Sequence, residues 1–116
     1  MSKRLQLVAD NDRLFPVQAF FNAISSRNFL EVIETLMSGV GAGINDVHCQ
    51  FPGDVGPGEK PFTGIQFSLY EDEVIVDDAT FKRFLLAACK AHLRDHPEQR
   101  VGLAKALGKR GWSKEL

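Results

Sequence analysis

The chain has 116 residues, 44% of them hydrophobic and 25% charged, with a formal net charge of -1 at pH 7. That length suits one domain spanning 1–116, and that apolar content can build a core without disulfide or metal staples. A membrane span is excluded: Asn22, Arg27, Glu31 and Glu34 interrupt the richest apolar region, and no run approaches the roughly 20 residues a spanning helix needs.

Near the N-terminus, the apolar stretch Leu5 to Ala9 is broken by Gln6 and closed by Asp10. It is too short for the core of a signal peptide, so a cytoplasmic location is expected. Val17, Phe20, Phe21 and Ile24 follow helical spacing, with Pro16 suited to a first turn, and predict a helix over about Pro16 to Ser25. Phe29, Val32, Ile33, Leu36 and Met37 repeat the pattern. Asn28 is placed to cap this second helix, with Glu31 three residues on to bond back to the cap. Gly39 ends it, and Gly39 to Gly43 reads as a loop because its three glycines would be costly in a helix.

From Val47 the period becomes two: Val47, Cys49 and Phe51 alternate with His48 and Gln50, as in a strand with one buried face. The proline- and glycine-rich segment Pro52 to Pro61 is an exposed connection. Ile65, Phe67 and Leu69 then alternate with Gln66, Ser68 and Tyr70, and a turn at Glu71-Asp72 leads into Val74-Ile75-Val76. The short separation makes these two strands an antiparallel hairpin. Asp77 or Asp78 caps a long helix whose apolar face holds Phe81, Phe84, Leu85, Ala88, Cys89 and His92. Pro97 breaks it, and Glu98 to Leu107 forms a last helix with Val101, Leu103, Ala104 and Leu107 available for packing. The expected architecture is α+β: an antiparallel sheet of three strands flanked by four helices, in the order ααβββαα.

Charge is sorted along the chain. Residues 46–78 hold eight carboxylates (Asp46, Asp54, Glu59, Glu71, Asp72, Glu73, Asp77 and Asp78) against Lys60 alone, a net of -7, whereas residues 79–116 carry +6. Such sorting bears on which partners are attracted and not on the fold. A basic stripe of Lys82, Arg83, Lys90 and Arg94, continued by Lys105, Lys109 and Arg110, invites a nucleic-acid reading. Against it stand a pI near 6.3 and the acidic middle, which would repel a phosphate backbone over much of the surface.

Catalytic sets are sparse. Cys89, His92 and His96 fall at i, i+3 and i+7 on one helix, a spacing able to present soft ligands to a metal, but Cys89 and His92 continue the apolar stripe and His96 lies at the helix end beside Pro97. No metal and no cofactor is therefore assigned. His48 cannot activate Cys49, because neighbours on a strand point to opposite faces. Glu71, Asp72 and Glu73 sit at a solvated turn rather than in the desolvated site a catalytic carboxylate needs. No catalytic residue is assigned and the chain is expected not to be an enzyme.

The stretch Val17 to Gly43 with "NFLEVIETLMSGVGAGI", the strand "DVHCQF", the pair "GIQFSLYEDEVIV" and the helix "FKRFLLAACKAHLRDHPE" resemble the immunity proteins of bacterial contact-dependent growth inhibition systems, in the ribonuclease-toxin immunity group. The resemblance covers most of the chain and rests on a string of short motifs. It implies a non-enzymatic protein that binds the C-terminal nuclease domain of its cognate toxin, as a monomer in a 1:1 complex, and prevents RNA cleavage in the cytoplasm. A nuclease that grips phosphates is basic, so the acidic middle segment is the matching surface. The residues expected to meet the toxin are Asp46, Asp54, Glu59, Glu71, Asp72 and Glu73 for charge, with Tyr70 and His48 as anchors. The alternative is an adaptor or regulatory module that binds nucleic acid or protein through the basic C-terminal helices.

Overall fold

A computed structural model describes residues 4–52 and 63–116. Four helices and four strands follow one another: α1 (Phe15–Ala23), α2 (Phe29–Met37), β1 (Ala42–Ile44), β2 (Val47–Gln50), β3 (Ile65–Leu69), β4 (Asp72–Val76), α3 (Asp78–Asp95) and α4 (Arg100–Gly108). The α+β class and the flanking helices agree with the sequence, and the sheet has one strand more than the three expected. The extra strand, β1, lies inside the glycine run read as a loop, where Ala42, Gly43 and Ile44 pair with Cys49, His48 and Val47. Pairing with a neighbour outweighs the poor intrinsic strand preference of glycine.

The sheet is an antiparallel meander in the order β1-β2-β3-β4. Period-two alternation sorts its residues. Val47, Cys49, Ile65, Phe67, Val74 and Val76 are buried on the inner face, while His48, Gln50, Gln66, Ser68, Glu73 and Ile75 on the outer face are half-buried or exposed. α1 lies on the inner face and α3 packs against α1, while α2 packs on α4 and reaches β1. At the centre, the Phe67 ring meets Phe20 edge-on at 5.5 Å between centroids, Phe21 at 6.1 Å and Phe81 of α3 at 6.2 Å. One aromatic cluster thus joins sheet, α1 and α3.

The N-terminal segment is tied to α1 by amide side chains. Gln18, 2% exposed, accepts from the amides of Leu7 and Val8 and donates to the Val8 carbonyl, and Asn22 exchanges two hydrogen bonds with Leu5. Every buried polar atom of Gln18 is therefore satisfied, as burial requires. Arg4 donates to the carbonyls of Phe21 and Ile24 at the end of α1, groups that a helix terminus leaves without an internal partner.

Several local expectations are corrected. Asn28 makes no side-chain cap on α2; instead the Ser25 hydroxyl accepts from the Asn28 amide and caps the single 3-10 turn Ser26–Asn28 that precedes α2. α3 is capped by Asp77, whose carboxylate accepts from the Thr80 amide at 2.8 Å and is held below its usual range by Thr80, through its hydroxyl first and its amide second. After Asp95 the chain makes a 3-10 turn at Pro97–Gln99, so α4 starts at Arg100 rather than Glu98. Val101 is 81% exposed and Ala106 takes the packing position instead. Gly102 allows the α2 approach, since a Cβ there would lie 2.9 Å from a Leu30 methyl. Among the described residues no helix is long and apolar enough to cross a membrane.

Candidate functional site

Both described hairpins turn in two residues. Ile44 pairs with Val47 and Leu69 with Asp72, which leaves Asn45-Asp46 and Tyr70-Glu71 as the loops. The second turn is thus one residue earlier than the Glu71-Asp72 expected, and Asp72 already belongs to β4. Because Val47 also pairs with Leu69, the two turns lie side by side at one end of the sheet. Asp46, Tyr70, Glu71 and Asp72 are gathered there, all exposed. The next row across the outer face runs Gly43, His48, Ser68, Glu73. His48 and Glu73 sit two strands apart in that row, about 10 Å from the spacing of a sheet, and Glu73 accepts from the Gln66 amide at 3.2 Å.

Of the eight residues expected to contact a partner, six are therefore brought to one end of the sheet and its adjoining outer row. Asp54 and Glu59 lie outside the described residues. The register is what joins Asp46 to residues 70–73; in sequence they are more than twenty positions apart.

Tyr70 is the most informative of the set. Its side chain is 76% exposed and its φ is +56°, in the left-handed region that bulky residues avoid. The equivalent position of the neighbouring turn is Asn45 at φ +55°, a residue type that tolerates the region because its short polar side chain bonds locally. The Asp46 carboxylate of the neighbouring turn, by hydrogen bonding and then by its charge, raises the Tyr70 phenol above its ordinary value. The two turns are thus electrostatic neighbours. The backbone strain yields a prediction: Tyr70→Asn should stabilise the fold by about 0.5–1 kcal/mol, read from urea denaturation midpoints. An unchanged or lower midpoint would mean that the turn carries no strain worth relieving.

Residues that sequence reasoning missed on this surface are Gly43, Asn45 and Ser68. A Cβ at Gly43 would fall 2.7 Å from His48 Nδ1, so glycine is what lets the imidazole lie across β1. The visible signal was position: Ser68 occupies an outward place in the alternation, and Asn45 directly precedes Asp46 and β2.

The residues weighed for other chemistry are held apart. Cys49 and Cys89 are buried, and burial pushes the Cys89 thiol up to about 12, which keeps it protonated and non-nucleophilic. His92 is 3% exposed and stacks between Phe29 at 4.2 Å and His96 at 4.6 Å. Its Nε2 bonds Gln99 Oε1 at 2.8 Å, and Nδ1 has no partner. Among the described residues no group of three His, Cys, Asp or Glu is placed to hold a metal ion.

Burial lowers the His92 pKa, the charges of His96 and Arg4 add to that, and the Gln99 bond and Glu98 oppose it. A lowered folded value means that, below the ordinary 6.5, the unfolded chain takes a proton that the folded chain refuses. Stability should therefore fall as pH drops from 7.5 toward 5.5, with a smaller loss in His92→Phe. Equal losses in the two chains, measured by urea titration at both pH values, would remove His92 as the cause.

The basic stripe is divided as well. Arg110 donates to the Met37 carbonyl and lies 5.7 Å from the ring centroids of Phe51 and Trp112; Lys109 donates to Ser38, and Arg100 donates to the Leu116 carbonyl. These cations tie the C-terminal segment to the fold, and Lys82, Arg83 and Lys90 stand separately on α3.

A search among curated proteins finds no match. The family model described as CDI immunity protein, where CDI stands for contact-dependent growth inhibition, matches residues 13–107. That span runs from just before α1 to the end of α4 and contains the whole sheet with both hairpin turns. The chain belongs to the CDI immunity protein family, which works by binding and neutralising a cognate toxin.

Proposed function

We propose that the chain, as one domain and in a 1:1 complex in the cytoplasm, neutralises the C-terminal ribonuclease domain of its cognate toxin by covering that domain's RNA-binding or active site. The contact surface is the end of the sheet formed by Asp46, Tyr70, Glu71 and Asp72 with the adjoining His48 and Glu73, and Asp54 and Glu59 add their charge. One observation supports this reading above the others: the strand register collects carboxylates from two separate turns around an exposed tyrosine. Carboxylates at the rim speed encounter with a basic site, while an aromatic side chain at the centre supplies the contact that slows release. No metal, cofactor or catalytic step is part of this function.

The test is an RNA-cleavage assay of the cognate toxin domain with the purified chain added. Cleavage should stop at an equimolar ratio, with a 1:1 complex by light scattering. Continued cleavage with no complex would overturn the reading. The adaptor alternative, binding RNA through the basic helices, is disfavoured because Lys109 and Arg110 of the basic stripe are held in hydrogen bonds to Ser38 and Met37 at the end of α2. Retention of the isolated chain on RNA at moderate salt would restore it.

A further inference from the structure

Ala79, Lys82, Arg83, Leu86, Ala87 and Lys90 recur at three- and four-residue steps and so share one face of α3. With Glu115 they line a trough of about 470 Å³ between α3 and the C-terminal 3-10 turn Ser113–Glu115. Ala79, Leu86 and Ala87 supply its apolar lining, and Lys82, Arg83 and Lys90 bring three cations to it.

The chain already seats one carboxylate there. Lys82 pairs with Glu115, and its ammonium lies 5.6 Å from the centre of the Trp112 ring. Among the described residues, neither Arg83 nor Lys90 makes an ion pair with a carboxylate. Three cations facing one acid, at the edge of a C-terminal third that carries +6, leave positive charge for a ligand to complement.

We propose that this trough is a second docking surface, separate from the acidic end of the sheet, and that it takes an acidic polypeptide segment of a partner protein with one apolar side chain between its carboxylates. The apolar side chain covers Leu86 and the two alanines. The carboxylates reach Lys82, Arg83 and Lys90, and one of them replaces Glu115. From Ala79 to Lys90 the helix advances about 16 Å, which about five extended residues would span. A nucleic acid shares the anionic chemistry but fits less well. Trp112, the aromatic residue beside the trough, is half-buried and packs on Phe81 at 6.2 Å and under Arg110, so it offers no open face on which a base could stack.

The experiment uses the full chain and a labelled pentapeptide of four acidic residues around a central leucine, read by fluorescence anisotropy at low salt. The peptide should bind. Lys82→Glu with Arg83→Glu should weaken binding at least tenfold, Glu115→Gln should tighten it, and Glu71→Lys at the far acidic surface should leave it unchanged. If the double variant does not fold, Lys90→Glu at an exposed position carries the same comparison. No binding, or equal binding by a peptide with serine in place of leucine, overturns the proposal. So does tighter binding of an RNA oligonucleotide that is lost in the same variants. Self-association of the chain that disappears in those variants would make the occupant a second copy and would likewise overturn it. The toxin-cleavage assay is independent of every one of these outcomes.

Discussion

Phe67→Ala is expected to cost about 3–5 kcal/mol of folding stability, while Ser68→Ala, one residue along the same strand, stays within about 0.5 kcal/mol. Phe67 is fully buried and its ring touches Phe20 and Phe21 from α1 and Phe81 from α3. Removing it takes away the transfer energy of a whole aromatic side chain and leaves a void where three elements meet, and the walls of that void are rings already held by other packing. Phe81 is braced by Phe51 at 5.7 Å and Trp112 at 6.2 Å, which limits how far it can move in. For a total stability in the usual range of about 5–15 kcal/mol, the loss is large enough to lower the thermal midpoint by more than about 10 °C. Ser68 points the other way, into the row of His48 and Glu73, so its hydroxyl can be removed without opening the core. Chemical denaturation of both variants measures the contrast. A loss below about 1 kcal/mol for Phe67→Ala would mean that the inner-face assignment of β3, and with it the register that builds the acidic surface, is wrong.

That contrast was legible in the sequence because alternation is a local signal. The inward places of Val47, Cys49, Ile65 and Phe67 follow from period two, and the long apolar stripe of α3 follows from helical spacing, so class and core were both readable. Signals that depend on a neighbour were not. β1 is a strand because β2 lies beside it, and nothing in the glycine run shows this. Asn28 looked like a cap by type and spacing, yet the preceding 3-10 turn handed that role to Ser25. Val101 reads as a packing residue by type, yet it stands about 200° around the helix from Leu103, two positions on, and so faces outward when Leu103 is buried. The carboxylates of the candidate site could be named from charge alone. Their assembly could not, because it depends on Val47 pairing with Leu69 and on a tyrosine held at φ +56°, a conformation no propensity favours.

Replacing Glu71, Asp72 and Glu73 together with lysine should slow association with the toxin domain about 100-fold at low salt while leaving the fold intact. All three are exposed, and the described bond lost is the one between Glu73 and Gln66 on the outer face, so circular dichroism should be unchanged. The substitution moves six units of charge at one end of the sheet, turning attraction for a basic site into repulsion. Steered encounters between proteins run at up to about 10⁸–10⁹ M⁻¹s⁻¹ and unsteered ones at about 10⁵–10⁶ M⁻¹s⁻¹, so a change of two decades lies within what charge alone can do. The gap between wild type and variant should close as salt rises, because the screening length shrinks from about 10 Å at 0.1 M to about 3 Å at 1 M. Tyr70→Ala serves as the counterpart: it removes an exposed ring and no formal charge, so it should raise the dissociation rate and hardly alter association. Stopped-flow binding at two ionic strengths separates the two effects. Equal association rates for wild type and the triple variant at low salt would show that this end of the sheet does not face the toxin, and the neutralising contact would then have to be sought on another face of the chain.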